Sequence, residues 1–474
     1  MYDNAVTTRL DFYGGLAGAL APFGLFLSGV IWLALNGAPD ERGFWPVLLA
    51  ALALGTFLAR DRAAYADAAI NAMGQPIVAL MIVAWLLAGV LGALLNESGL
   101  VQSLVWLARR ARLGPALYVG AAFLVCVVVS TSTGTSFGTI LIAGPLLYPA
   151  GGALGSDPAV LMGAILAGAT WGDSISPVSD TSIASAGSQL TDVPGTVRSR
   201  LKYVVPAGLA ALVASIVLAA VRSGSSGGAE ATGASVPGSA KALPLLLVPA
   251  VVIVLLARKR HLLEGLLAGI AVAIALGIGL DVLTLEKVFF IDRTAFGARG
   301  LIVDGLGRGV GVSVFTLLLM GLVGALQASG VLERLGTLLQ RTASSASRAE
   351  WWMVGVVSAA VLLTTHSVVA MLSVGALVRE LGTRVGVSAY RRANLLDMTV
   401  CTWPFILPYF LPTILASSAT ASGVAFGMPR LSPWSIGLMN TYAWALVVTV
   451  PLAIITGFGR REGKDAPTMT PTGD

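Results

Sequence analysis

The stretch Gly168-Ala169-Thr170-Trp171-Gly172-Asp173-Ser174-Ile175-Ser176-Pro177-Val178-Ser179-Asp180-Thr181-Ser182 carries two carboxylates seven positions apart, a proline, two glycines and six hydroxyl side chains. It follows a run, residues 159–167, with the composition of a membrane-spanning helix. Hydrocarbon penalises such polarity: a charged carboxylate costs at least ~2.5 kcal/mol at the centre of a spanning helix. Gly and Pro also interrupt the helix, and the backbone groups freed there need partners inside protein or water. The stretch is therefore expected to line a polar cavity at membrane depth and to bind a cation.

Around it lies a chain of 474 residues, 56% hydrophobic and 11% charged. A soluble domain carries about 25% charged residues, so the expected class is an all-α integral membrane protein. At ~20 residues per spanning helix, the length allows about ten to thirteen of them. The short alternating segments of a closed barrel are absent. A net charge of +6 points to basic loops on the cytoplasmic side. No basic cluster is interleaved with aromatics, so nucleic acid is not an expected partner. Cys126 and Cys401 both lie in apolar surroundings and imply neither a disulfide framework nor a metal site. Two histidines without a Cys/His cluster argue against a transition-metal centre, and no cofactor is expected. There is no Walker A motif, no GxGxxG after a strand and no HExxH. ATP-driven transport and enzyme catalysis therefore lack support. Residues 1–12 show no basic n-region, so the first apolar run is expected to remain as a helix.

In chain order, residues 14–35 form the first spanning candidate, 36–43 a polar turn and 44–59 a second, shorter run. Residues 60–74, polar and Ala-rich, have an interfacial composition. Residues 76–95 form a third span, ending at Asn96-Glu97-Ser98-Gly99, where Glu97 is expected to be solvated. Residues 101–112 are amphipathic, with Arg109, Arg110 and Arg112 together, and belong at a membrane surface. Residues 115–129 are apolar. In the ten residues that follow, 130–139, seven are Ser or Thr and two are Gly. A broken or re-entrant element is expected there, continuing as a half-helix over 140–149. After the opening stretch come a polar segment, 188–200, with Arg198, Arg200 and Lys202 at its end, and a span over 203–221.

Residues 223–241 are rich in Gly, Ser and Ala and are expected to be a flexible linker. It would divide the chain into a first half, 1–222, and a second half, 242–458, before a disordered tail, 459–474. The halves resemble each other. Gly89-Val90-Leu91-Gly92-Ala93-Leu94 matches Gly321-Leu322-Val323-Gly324-Ala325-Leu326, and Ser98-Gly99 matches Ser329-Gly330. A basic amphipathic segment follows in each, with Arg334, Arg341 and Arg348 in the second copy. Hydroxyls then interrupt an apolar run, at Ser130-Thr131-Ser132-Thr133 and at Thr364-Thr365-His366-Ser367. A second interruption in the second copy is Asn394-Leu395-Leu396-Asp397-Met398-Thr399-Val400-Cys401-Thr402-Trp403-Pro404, continuing to Pro408 and Pro412. Paired interruptions in matching positions of two halves point to the binding site of a secondary transporter. The Gly89-xx-Gly92 spacing is most simply a helix-packing surface.

Gly172-Asp173-Ser174-Ile175-Ser176-Pro177-Val178-Ser179-Asp180-Thr181 resembles the GD-x-x-SP-x-SDT signature of NhaC-type sodium/proton antiporters. Thr133-Gly134-Thr135-Ser136-Phe137-Gly138-Thr139 resembles the family's segment before that signature. Arg392-Ala393-Asn394-Leu395-Leu396-Asp397, with Cys401 and Pro408-Tyr409, is similar to the second-half pattern of some members. The resemblance runs over roughly residues 44–457. It implies the ion-transporter superfamily, with two inverted repeats whose broken or re-entrant helices meet near the membrane midplane. It implies exchange of Na+ or Li+ for H+, in the inner or plasma membrane of a bacterium. Some relatives exchange organic anions, such as malate for lactate, coupled to Na+ and H+. His366 stands where relatives often have Asn or Ser, and Phe410-Leu411-Pro412 where several have a small or amide residue.

Oxygen ligands suit a hard cation such as Na+, and Asp, Ser, Thr and freed carbonyls supply them. A partly buried carboxylate can hold either the ion or a proton, and that competition enforces exchange. Asp180 is the expected shared carboxylate and Asp173 the second, so the candidate Na+ site is at these two. Thr181, Ser179, Ser176, Thr135 and Ser136 are candidate ligands, with Asp397 and Asn394 as second-half counterparts and His366 as a candidate proton carrier. Blander roles stay open. Asp173 could cap a half-helix, Asp397 could sit at the interface paired with Arg391, and single hydroxyls could bond back to the preceding turn. The lone His366 could be a satisfied core residue. A coupled carrier of organic anions or amino acids is the alternative function. It would need a cationic partner for the anion, and no Arg or Lys lies within the breaks. A channel with hydroxyl-rich filter loops fits two unlike halves with carboxylates less well. The bilayer is the expected surrounding, and a homodimer stays open.

Overall fold

The computed structural model describes residues 9–36, 41–225, 239–294, 296–331 and 345–460. The first half runs α1 (Leu16–Leu35), α2 (Phe44–Leu58), α3 (Arg62–Met73), α4 (Pro76–Glu97), α5 (Leu100–Arg110), α6 (Pro115–Thr133), α7 (Ser136–Gly152), α8 (Pro158–Ile175), α9 (Asp180–Ser188) and α10 (Val193–Ser225). The second runs α11 (Leu247–Ala257), α12 (Leu262–Gly279), α13 (Leu285–Val288), α14 (Leu301–Ala328), α15 (Ala346–Thr364), α16 (Ser367–Arg384), α17 (Ala389–Val400), α18 (Leu411–Ala419), α19 (Pro433–Leu438) and α20 (Thr441–Thr456). A small antiparallel hairpin, β1 (Phe290–Asp292) with β2 (Gly297–Arg299), precedes α14, with Phe290 opposite Arg299. Seven described helices are long and apolar enough to cross a membrane, eight if α8 and α9 count as one bent span, and four shorter apolar helices accompany them. The chain is a multi-pass, all-α membrane protein.

The helix starts follow from local chemistry. Proline occupies the first turn of α4, α6 and α8, where a missing N–H leaves no bond unmade. Asp61 accepts the Ala64 N–H and Asp157 the Val160 N–H, each at 2.9 Å, as N-caps of α3 and α8. Close helix contact depends on glycine. A Cβ on Gly168 would lie 2.2 Å from the Phe123 carbonyl oxygen, and one on Gly172 2.5 Å from that of Val127. α6 and α8 therefore touch backbone to backbone.

α4 and α14 pack along one another in opposite directions: Gly305 meets Val90, and Gly309 meets Leu86. α3 lies on α14 and α12 on α4, so a helix from each side of the 226–238 segment packs on the pair's member from the other side. The N-terminal segment closes on the second half, with the Leu10 N–H donating to Ala328 O at 2.9 Å and Arg9 Nε to Ser329 O at 3.2 Å.

Two expectations change. The hydroxyls at 130–133 do not break the helix. They lie inside α6, where Thr131, Ser132 and Thr133 donate back to Val127, Val128 and Val129 carbonyls at 2.7–2.9 Å. The span expected over 203–221 begins earlier, at Val193, so that α10 takes in Arg198, Arg200 and Lys202 from the polar segment 188–200. The expected linker starts inside the last turn of α10. Its residues 226–238 lie outside the described residues, as do 332–344, with Arg334 and Arg341, and the tail 461–474.

Candidate functional site

α8 ends because Ser176 turns extended (φ −82°, ψ 126°) ahead of Pro177, and α9 leaves at 42° to it. The C-terminal end of α6 holds the break in place. Ser130 Oγ donates to Ala169 O at 2.6 Å, and Ser176 Oγ donates to Thr131 O at 2.8 Å. Ser176, a candidate ligand, is thus engaged as a fastener. Asp173 is buried, 3% exposed, and lies in the last turn of α8. It caps no half-helix, which corrects that reading. Its Oδ2 accepts from Ser136 Oγ at 2.9 Å, while Oδ1 has no donor among the described residues.

Ser136 is delivered by the first break. Gly134 adopts φ 69°, ψ 25° and Thr135 φ −148°, ψ 121°, after which α7 begins. Thr135 accepts the Gly138 N–H at 3.3 Å, so this candidate ligand serves as the N-cap. Asp180 occupies the first turn of α9, where the helix dipole favours negative charge. It accepts the Thr181 N–H at 2.8 Å and is exposed. Ser179 and Thr181 are buried with their hydroxyls 2.9 Å apart.

The second half repeats the backbone device. Thr365 takes φ 53°, ψ 12° and His366 φ −137°, ψ 119°, before α16. Ser367 Oγ donates to Val400 O at 3.3 Å across to the end of α17, as Ser136 reaches across to α8. The correspondence extends to the carboxylates. Asp173 O accepts the N–H of Ser176, the residue that closes α8, and Asp397 O accepts that of Cys401, which closes α17.

Asp397 is not interfacial and does not pair with Arg391. It is fully buried, 2.6 Å from Arg200 Nη1, and Arg200 is equally buried. Beside this ion pair, Arg200 enters from α10 and donates hydrogen bonds to Ser174 O (2.9 Å), Ser182 Oγ (3.0 Å), Ser185 Oγ (3.3 Å) and Asn394 Oδ1 (3.3 Å). Asn394 Nδ2 donates to Ser199 Oγ at 2.7 Å. Arg391 instead pairs with buried Glu350 through Nε and Nη2, at 3.1 and 3.2 Å.

Asp173 is thereby close enough to Asp180 and Asp397 for their charges to interact, and Thr181 lies beside Asp397. The carboxylates are neighbours without forming a tight cage: among the described residues no three His, Cys, Asp or Glu side chains could hold a metal ion together. His366 stands apart at the second break, with its buried Nδ1 unpartnered among the described residues. Glu97 is exposed and bonded to Lys287 at 2.6 Å. Arg200, the centre of this network, is absent from the candidate list. Its signal was phase: Thr196, Arg200, Tyr203, Val204 and Ala207 recur at helical spacing, and all are buried.

Residues 49–221 match the model of the Na+/H+ antiporter family, so the resemblance seen in the motifs extends through the first half. The chain is 27% identical to the Na+/H+ antiporter NhaC of Alkalihalophilus pseudofirmus over 281 residues, 56% of each chain. It is 30% identical to the malate-2H+/Na+-lactate antiporter of Bacillus subtilis over 235 residues, 47% of this chain and 49% of that one. A shorter match, 35% over 106 residues and 22% of each chain, is to the arginine/ornithine antiporter ArcD of Halobacterium salinarum. The chain thus spans about half the length, or less, of the curated relatives it matches.

Proposed function

We propose that this chain is a secondary transporter of a bacterial plasma membrane that exchanges Na+, and in its place Li+, for H+ at Asp173 and Asp180. The observation that supports this most is Asp173, a buried carboxylate with a single hydroxyl donor on Oδ2 and an Oδ1 without one. A buried carboxylate needs a counter-charge or a proton, and Oδ1 is free to take either. Ser136 biases the pair of states by stabilising the ionised form. Asp180, exposed at the start of α9 on the far side of the break, gives the ion a second oxygen donor and a route to water. Binding of Na+ displaces the proton and binding of the proton displaces Na+, so neither crosses uncoupled. The relatives that support a cation include two whose printed names also specify Na+ and H+.

An organic anion as the main substrate is the second reading, favoured by the likeness to the malate/lactate carrier. It needs an accessible cation beside the breaks. Arg200 is buried there, and its guanidinium is already committed to Asp397, two serine hydroxyls, an amide and a carbonyl. Purified protein in proteoliposomes with an enclosed pH-sensitive dye separates the readings. Na+ or Li+ added outside should evoke proton flux in the wild type, and Asp173→Asn and Asp180→Asn should abolish it. Absence of a cation response in folded wild type, with a response to malate or lactate, would replace the first reading by the second.

A further inference from the structure

Two halves with matching breaks provide two equivalent places for a cation, one beside Asp173 and one beside Asp397. Each carboxylate stands where its helix is closed by a hydrogen bond to its own carbonyl. Asp173 meets the first serine of α7, Ser136, and the first serine of α16, Ser367, reaches the Val400 carbonyl at the end of the Asp397 helix. The two places nonetheless differ in content. The Ser136 and Ser179 hydroxyls stand beside Asp173, whereas Asp397 has the Arg200 guanidinium at 2.6 Å as an ion-pair partner, its two oxygens taking no hydrogen bond among the described residues.

Resting on the exchange reading above, we propose that Arg200 is a tethered cation that permanently fills the second-half ion position, so that the chain binds one exchangeable Na+ per copy instead of two. Four features support permanence. Arg200 and Asp397 are both fully buried, so bulk water does not compete for either. The guanidinium is held by four hydrogen bonds, to Ser174 and Ser182 on both sides of the α8–α9 break, to Ser185 on α9, and to Asn394 on α17. The side chain comes from the interior of α10, a helix without a break of its own. Arginine presents five N–H donors in a rigid planar fork, which suits it to a seat with this many acceptors. In charge terms the guanidinium cancels Asp397 and leaves Asp173 and Asp180 as the carboxylates that trade ions.

The test is a count of radioactive Na+ bound per chain at saturation, by equilibrium dialysis of detergent-purified protein. The expected counts are one for wild type, two for Arg200→Gln, whose freed Asp397 takes a second ion, and one for Arg200→Lys. A count of one in Arg200→Gln that elutes as folded protein overturns the proposal, as does a count of two in wild type. Where Arg200→Gln does not fold, Asp397→Asn carries the test. A count that stays at one supports the proposal, and a fall to zero in folded protein overturns it. A wild-type count of zero would overturn the exchange reading itself, an outcome distinct from one ion in both wild type and Arg200→Gln.

Discussion

Ser136 shows how one hydroxyl sets the balance at a buried carboxylate. Its hydrogen bond to Asp173 Oδ2 is to an ionisable group, a class worth ~1.5–3 kcal/mol. Ser136→Ala should raise the Na+ concentration for half-maximal proton flux about tenfold or more, and an unchanged value would remove Ser136 from the site. A different carboxylate, Asp192, lies just before α10 and accepts a hydrogen bond from the Tyr390 hydroxyl, which holds its carboxyl below the usual range. A depressed folded value means that this contact stabilises above the ordinary carboxylate pKa of ~3.9 and is lost only as pH falls through the lower folded value. Asp192→Asn should therefore leave the pH profile of flux between about 6 and 9 unchanged; a displaced profile would show this loop to be part of the pH response. The place of Asp173 and Asp180 on either side of a helix break was legible in the sequence, because Pro177 and a crowd of polar residues lie between them. Arg200 was not, because the scarcity of charge in hydrocarbon assigns arginines to interfaces and its partner Asn394 lies 194 positions away.

At the scale of elements, the two breaks use one backbone turn with different residues. Gly134 has φ 69°, and a Cβ there would stand 2.7 Å from Val178 O. Thr365 holds the equivalent left-handed conformation with a branched side chain, its Oγ1 donating to Thr364 O at 2.8 Å. The left-handed conformation costs an L-residue roughly 1–2 kcal/mol, and at Gly134 a clash adds to it. Gly134→Thr should lower the thermal midpoint in detergent by several degrees, while Thr365→Gly should be tolerated. Equal losses in both would mean that the breaks are not built alike. The α8–α9 break was legible from Pro177 and the crowding of polar residues. The extent of α6 was not, because Ser and Thr that bond back to their own helix look in sequence like hydroxyls set aside for a ligand.

At the scale of the molecule, Glu350 joins pieces that are far apart in sequence. It is fully buried, holds Arg391 from α17 through two bonds and accepts from Arg460 after α20 at 3.1 and 2.7 Å. Arg391 in turn donates to the Tyr203 hydroxyl of α10 at 2.7 Å. Removing one member of a buried pair costs ~3–5 kcal/mol because the other charge is left behind. Glu350→Ala should thus destabilise far more than Arg460→Ala, whose side chain is 25% exposed; thermal unfolding followed by tryptophan fluorescence would measure both. The places of the breaks at Gly134 and Thr365 were legible from the paired hydroxyl-rich interruptions. This cluster was not, because no local pattern tells a buried arginine–glutamate pair from two interfacial charges.

The seating of the N-terminal segment on the far end of α14 has a consequence in time. Arg9 and its acceptor Ser329 are 320 positions apart, and ribosomes add roughly 5–20 residues each second. Residues 9 and 10 therefore exist for roughly 16–64 seconds before their acceptors are made. An unpaired backbone N–H does not wait in hydrocarbon, so the segment must spend that interval in water at the membrane surface. Hydrogen exchange at the Leu10 amide should be fast on nascent chains stalled before Ala328 and slow once the chain has been released.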